Sequence, residues 1–169
     1  MIKAVLLALF ICAVYSQVCL DCNEEQLQMF SGQHMESGYL ILDAVQLNPT
    51  TITFSLDVVA IDNWTWKTLQ IYVGTNPPSG NSPGQFPYKY ENIWVNSFSG
   101  EYTVSIACGG TVYYAVHAES YQMVNGNPTN EQTAWGKGGI PFGNSWGSYD
   151  SYQTCCTVCE DSECVVDAD

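Results

Sequence analysis

Arginine is missing from this sequence altogether. Lysine occurs four times against 17 acidic residues, for a formal charge of −13. Nucleic-acid recognition needs clustered cations, and Lys67, Lys89 and Lys137 are too few and too scattered to supply them. Anionic membrane surfaces are disfavoured for the same reason. Histidine is scarce as well, with His34 and His117 its only occurrences. No apolar run reaches the roughly 20 residues that span a bilayer. Internal repeats and a D-x-[DN]-x-[DN]-G calcium loop are also missing. The acidity itself reads as solubility.

The longest apolar run, Ala4 to Val14, follows Lys3 and precedes the small residue Ser16. This order predicts a signal peptide over 1–16, cleaved before Gln17, and a secreted, extracellular product. Ile11 precedes Cys12 where a lipoprotein signal needs a small residue. The acidic end Val165 to Asp169 lacks the hydrophobic tail of a GPI signal. Cleavage removes Lys3 and leaves a formal charge of −14. The remainder, 17–169, is expected to form one domain with a Cys-rich C-terminal tail over 155–164.

Cleavage also removes Cys12, and seven cysteines remain: Cys19, Cys22, Cys108, Cys155, Cys156, Cys159 and Cys164. On an oxidising export route these are expected to form disulfides that tie the two termini together. Cys19-x-x-Cys22 with Cys156-x-x-Cys159 could instead supply four zinc ligands, a reading that export disfavours. An odd count leaves one thiol free or bonded to another molecule.

Period-two alternation dominates the chain. It places Ile52, Phe54, Leu56 and Val58 on one face of a strand over 51–58. Tyr102, Val104, Ile106 and Cys108 form a second inward set, Leu69, Ile71 and Val73 a third, and Val112, Tyr114, Val116 and Ala118 a fourth. Residues 39–47 read as a central strand, with weaker candidates at 91–98 and 146–154. About seven such strands predict an all-β fold, an antiparallel β-sandwich. Residues 23–31 predict a short N-terminal helix, with Asn23 as cap, Gln26 at the capping-box position and Gly32 as terminator. Residues 74–88, rich in proline and glycine, form one long loop.

Two motifs touch on catalysis. Gly143-Asn144-Ser145-Trp146-Gly147 fits the G-x-S-x-G nucleophile elbow, but no histidine follows it to complete a triad. His117 and Glu119 share one face of a strand, opposite the core, and no further metal ligands accompany them. The chain is therefore expected to be non-enzymatic, without cofactor or metal. Asn63-Trp64-Thr65 is an N-glycosylation sequon in an expected loop.

The segment His117-Ala118-Glu119, Gln132-Thr133-Ala134-Trp135-Gly136 and Phe142 to Tyr149 resembles the C-terminal signature of a group of secreted β-rich domain proteins of unassigned function. These share an HA…TAW-x-x-G…F-G-x-x-W-x-x-Y pattern. The resemblance covers under a quarter of the chain and implies a β-rich fold, with no activity attached. Trp135 and Trp146, set among glycine-rich turns, read as a closing flap packed on the core.

Two functional expectations follow. One is a structural or surface protein, a subunit of an extracellular matrix, coat or filament that self-associates or contacts other extracellular proteins. The other is a carbohydrate-binding module using Trp64, Trp66, Tyr88, Tyr90 and Trp94 as loop aromatics.

Overall fold

The computed structural model describes residues 18–19, 25–48, 50–107, 109–154 and 157–158. The expected signal peptide over 1–16 lies outside the described residues, as do Cys22, Cys108, Cys155, Cys156, Cys159 and Cys164. The expected disulfides therefore fall outside them too.

The chain is all-β and antiparallel. Its strands are β1 (Val18–Cys19), β2 (Glu25–Ser31), β3 (Met35–Asn48), β4 (Thr51–Ala60), β5 (Trp64–Gly74), β6 (Tyr88–Tyr90), β7 (Ser97–Ser105), β8 (Thr111–Val124), β9 (Asn127–Gly136), β10 (Ile140–Pro141), β11 (Ser148–Gln153) and β12 (Thr157–Val158). Strands β1 and β12 form a two-stranded ladder that sets the terminal segments side by side, with Cys19 opposite Thr157. The other ten make one sheet that curls into a half-barrel. Along β8, β5 occupies one side, while β9 and β11 follow one another along the other. From β9 the sheet continues through β2, β3 and β4 to β7.

The segment between β6 and β7 draws the two edges of the sheet together. Ile93 and Val95 bond to Lys67 and Trp66 of β5, and then the Ala60 amide of β4 donates to the Asn96 carbonyl. Ring pairs finish the closure, with Tyr88 against Tyr102 and Tyr90 against Phe98, each at 4.4 Å. The edges thus meet through side chains.

The inner face carries the main core. Ile52, Phe54, Leu56 and Val58 are fully buried, as are Leu69, Ile71 and Val112, with Tyr114, Val116 and Ala118 nearly so. These are the alternating sets read from the sequence, and burial of each such side chain contributes roughly 1.5–3 kcal/mol. Ser31 and Ser120 also face inward, but their hydroxyls bond each other at 2.7 Å, which removes the cost of burying them.

Three expectations are corrected. Residues 25–31 form strand β2, with no helix: Leu27, Met29 and Ser31 alternate inward and pair with β3 and β9. A local capping pattern lost to long-range pairing that buries Met29 completely. The two sheets of a sandwich are replaced by a single curled one, because inward faces that match across two sheets also match across one half-barrel. The candidate strand at 91–98 is a crossover with one isolated bridge at Val95, and regular pairing begins at Ser97. Strand β9 was missed, although Asn125-Gly126 supplies the positive φ pair (51° and 76°) of a tight hairpin turn leading into it.

Candidate functional site

Directly paired residues in a sheet share a face. Phe30 pairs with Trp135, Trp135 with His117, and His117 with Gln70, so these four form one row across the outer face of β2, β9, β8 and β5. Two segments fold over that row. The loop after β5 brings Phe86 to Trp135 at 6.2 Å, edge to face. The flap between β10 and β11 brings Phe142 to 5.4 Å and Trp146 to 6.5 Å of the same indole. Trp135 is thus the hub of a second, outer cluster with Phe86, Ala115 and Phe142.

The flap is a tight turn fixed by its own hydrogen bonds. The Phe142 amide donates to the Gly147 carbonyl and the Ser145 amide to the Phe142 carbonyl, both at 3.0 Å. Ser145 Oγ accepts from the Gly147 amide at 3.2 Å. The serine of the G-x-S-x-G match therefore closes a turn. A Cβ on Gly147 would sit 2.6 Å from Trp135 Cε2, so the bare backbone lets the flap lie flat on the indole. Ser148 secures the flap's base, accepting from the Gly138 amide and donating to the Gly136 carbonyl.

Between the flap and the β2–β9 surface lies an open cleft of about 180 Å³, lined by Phe30, Gln33, Trp135, Gly136, Lys137, Trp146 and Ser148. Trp146 presents 36% of its surface. Lys137 Nζ stands over the Phe30 ring at 5.3 Å, and no carboxylate pairs with it among the described residues. The other two described lysines are engaged, Lys67 by Glu119 at 3.2 Å and Lys89 by the Gly84 carbonyl. On the far side of Trp135 in the same row, His117 packs edge to face on the indole at 4.9 Å, and its Nδ1 is buried without a partner. Burial pushes its pKa down to about 4, against a weaker upward pull from Glu119. His117 is therefore a neutral wedge under the aromatic hub.

A second exposed aromatic surface lies further along the outer face. Trp94, 42% exposed, packs tilted against Tyr121 at 5.1 Å, and Lys67 Nζ stands 5.6 Å from the Tyr121 ring centre. A bulge in β5 between Trp66 and Thr68 turns Lys67 and Thr68 to the same side, where both reach the Glu119 carboxylate.

The expected ligand-binding aromatics divide. Trp64 and Trp66, 3% and 0% exposed, are strand residues of the inner core and cannot stack on a ligand. Tyr88 and Tyr90 are half-buried and spend their faces on Tyr102 and Phe98. Trp94 alone of the five stands out into solvent. Asn63 is exposed in the turn between β4 and β5, with its amide donating to the Met123 carbonyl at 3.3 Å. Phe30, Gln33 and Lys137 were missed: nothing in local sequence tells that β2 lies beside β9. Among the described residues no group of three or more His, Cys, Asp or Glu side chains could hold a metal ion.

No family model matches the chain, and neither curated proteins nor solved structures give a match.

Proposed function

We propose that this chain is a non-enzymatic extracellular protein of a surface or matrix that attaches to carbohydrate through the cleft beneath the flap. The observation that carries the reading is the half-exposed Trp146 set beside Phe30 and Trp135, with Gln33 and Lys137 at the rim. Aromatic faces suit the C–H faces of a sugar ring, and an amide and an ammonium suit its hydroxyls. Small-molecule and cofactor pockets run to about 300–1,000 Å³. An open cleft of about 180 Å³ is small on that scale and suits a single sugar ring at a time. The segment with the TAW-x-x-G…F-G-x-x-W-x-x-Y pattern supplies Trp135, Lys137 and Trp146, which gives that pattern a role in this surface. The exposed Asn63 fits a glycosylated, exported chain.

The test is retention on a panel of insoluble neutral polysaccharides, comparing the native protein with Trp146→Ala. Removal of the exposed ring should weaken binding about tenfold, or about 1.4 kcal/mol, while the melting temperature stays near that of the parent. No retention on any member of the panel, or equal retention of both proteins, overturns the reading.

Association of copies is the second reading, and β7 favours it. Its outer edge makes no ladder hydrogen bonds among the described residues, although rings of β6 pack against Phe98 and Tyr102, and its nine residues include no lysine or proline. Glu101 stands at the centre of that strand and would oppose its own copy in a symmetric antiparallel pair, a like-charge contact that works against that register. Light scattering, with gels run reduced and non-reduced, separates the two readings: a monomer throughout removes association and leaves the cleft untouched.

A further inference from the structure

We infer that the binding surface continues from the cleft along the outer face of β8 to the Trp94–Tyr121 pair, so that the ligand is a neutral polysaccharide rather than a free sugar. This rests on the carbohydrate reading of the cleft.

His117, Glu119 and Tyr121 alternate with the inward residues Val116, Ala118 and Ser120, so all three point to the outer face. Four steps of about 3.3 Å each lead from His117 to Tyr121, a run of roughly 13 Å. One end of that run supports Trp135, against which Trp146 and the cleft are built. The other end carries Tyr121 with Trp94 on it. Between them lie the Glu119 carboxylate and the Thr68 hydroxyl, and Thr133 pairs with Glu119 on the neighbouring strand. The surface thus alternates aromatic, polar and aromatic groups. A polymer that repeats a C–H face and a hydroxyl edge matches that alternation, and a single sugar would use only one end of it.

Trp94 is placed by the backbone and not by chance packing. Its φ is +49°, in the left-handed region that bulky residues rarely enter. Bonds from Ile93 to Lys67 and from Val95 to Trp66 pin both sides of it, so the strain is enforced by the crossover. The result is an indole 42% exposed within a fold that buries Trp64 and Trp66.

Charge selects the class of polymer. Along this surface Lys67 is neutralised by Glu119, which leaves Lys137 at the cleft as its single unpaired cation among the described residues, within a chain of formal charge −13. A polyanion would meet one cation at the cleft and net repulsion from the rest of an acidic chain.

The experiment measures affinity for soluble neutral oligosaccharides of rising length, dimer to hexamer, drawn from the polysaccharide that retains the protein best. Protein enzymatically freed of N-glycan is used, since Asn63 lies two residues before Thr65, the cross-strand neighbour of Tyr121. The native protein should bind the hexamer about tenfold more tightly than the dimer. Trp94→Ala should abolish that gain and keep the dimer affinity, whereas Trp146→Ala should weaken every length. A flat dependence on length, or a gain that survives Trp94→Ala, overturns the inference while leaving the cleft reading intact. Loss of dimer binding in the native protein strikes the cleft reading itself. Tighter binding of alginate or heparin, or displacement by a proline-rich peptide at lower concentration than by the hexamer, assigns the surface to another partner and overturns the inference.

Discussion

Acid should loosen this fold through one histidine. In the unfolded chain His117 takes up a proton near pH 6.5. In the folded chain burial under Trp135 holds its pKa down at about 4. The unfolded state therefore binds more protons between those values, and stability falls as pH drops from about 6.5, with the loss complete near pH 4. Each unit of separation is about 1.36 kcal/mol, so the full effect amounts to about 3 kcal/mol. Carboxylates titrate over the same range; Glu25, whose pKa is raised by burial and by Asp150, is among them. A comparison with His117→Gln cancels their contribution, because it leaves every other group in place. Urea unfolding followed by tryptophan fluorescence at pH 7, 5.5 and 4 gives the free energies. The native protein should lose about 3 kcal/mol more than His117→Gln across that range, and most of the difference should appear below pH 6. Parallel loss in the two proteins would refute the assignment of His117 as a buried neutral wedge.

Gly38→Ala should destabilise the fold by about 3 kcal/mol, at the upper end of overpacking costs. Its added carbon would meet the Val59 backbone carbonyl and the fully buried Trp66 ring at 2.8 Å, neither of which has room to move. Gly80→Ala, with open space around it, should change the melting temperature by no more than about a degree, within the ±0.5 kcal/mol usual for surface sites. Expressed through a eukaryotic secretory route, the protein should shift in mass on glycosidase treatment, and Asn63→Gln should remove the shift; an unmodified mass in the native protein contradicts the exposed sequon.

Much of the inner face was legible because alternation is a local property. The sets around Phe54, Leu69, Tyr102 and Tyr114 needed only the two-residue period of a strand, and His117 with Glu119 fell on the opposite face by the same count. Strand partners are another matter. Glu24, Glu25 and Gln26 satisfy a helix cap locally, yet pairing of 25–31 with β3 and β9 decides the outcome. The aromatic site failed for the same reason. Trp64 and Trp66 look exposed beside a loop until β5 is laid against β8, and Phe30 looks unremarkable until register sets it against Trp135. Whether inward faces close as two sheets or one depends on the β6–β7 crossover, whose left-handed Asn92 and Trp94 carry no signal in their residue types strong enough to predict it.

Backbone amide NMR on titration with a soluble neutral oligosaccharide tests the central claim most directly. The account predicts shifts concentrated in Phe30 to Gln33, Trp135 to Lys137 and Trp146 to Ser148, extending to Trp94 and Tyr121 as the ligand lengthens. Shifts confined to β7, or an unchanged spectrum with every saccharide that retains the protein, would contradict it.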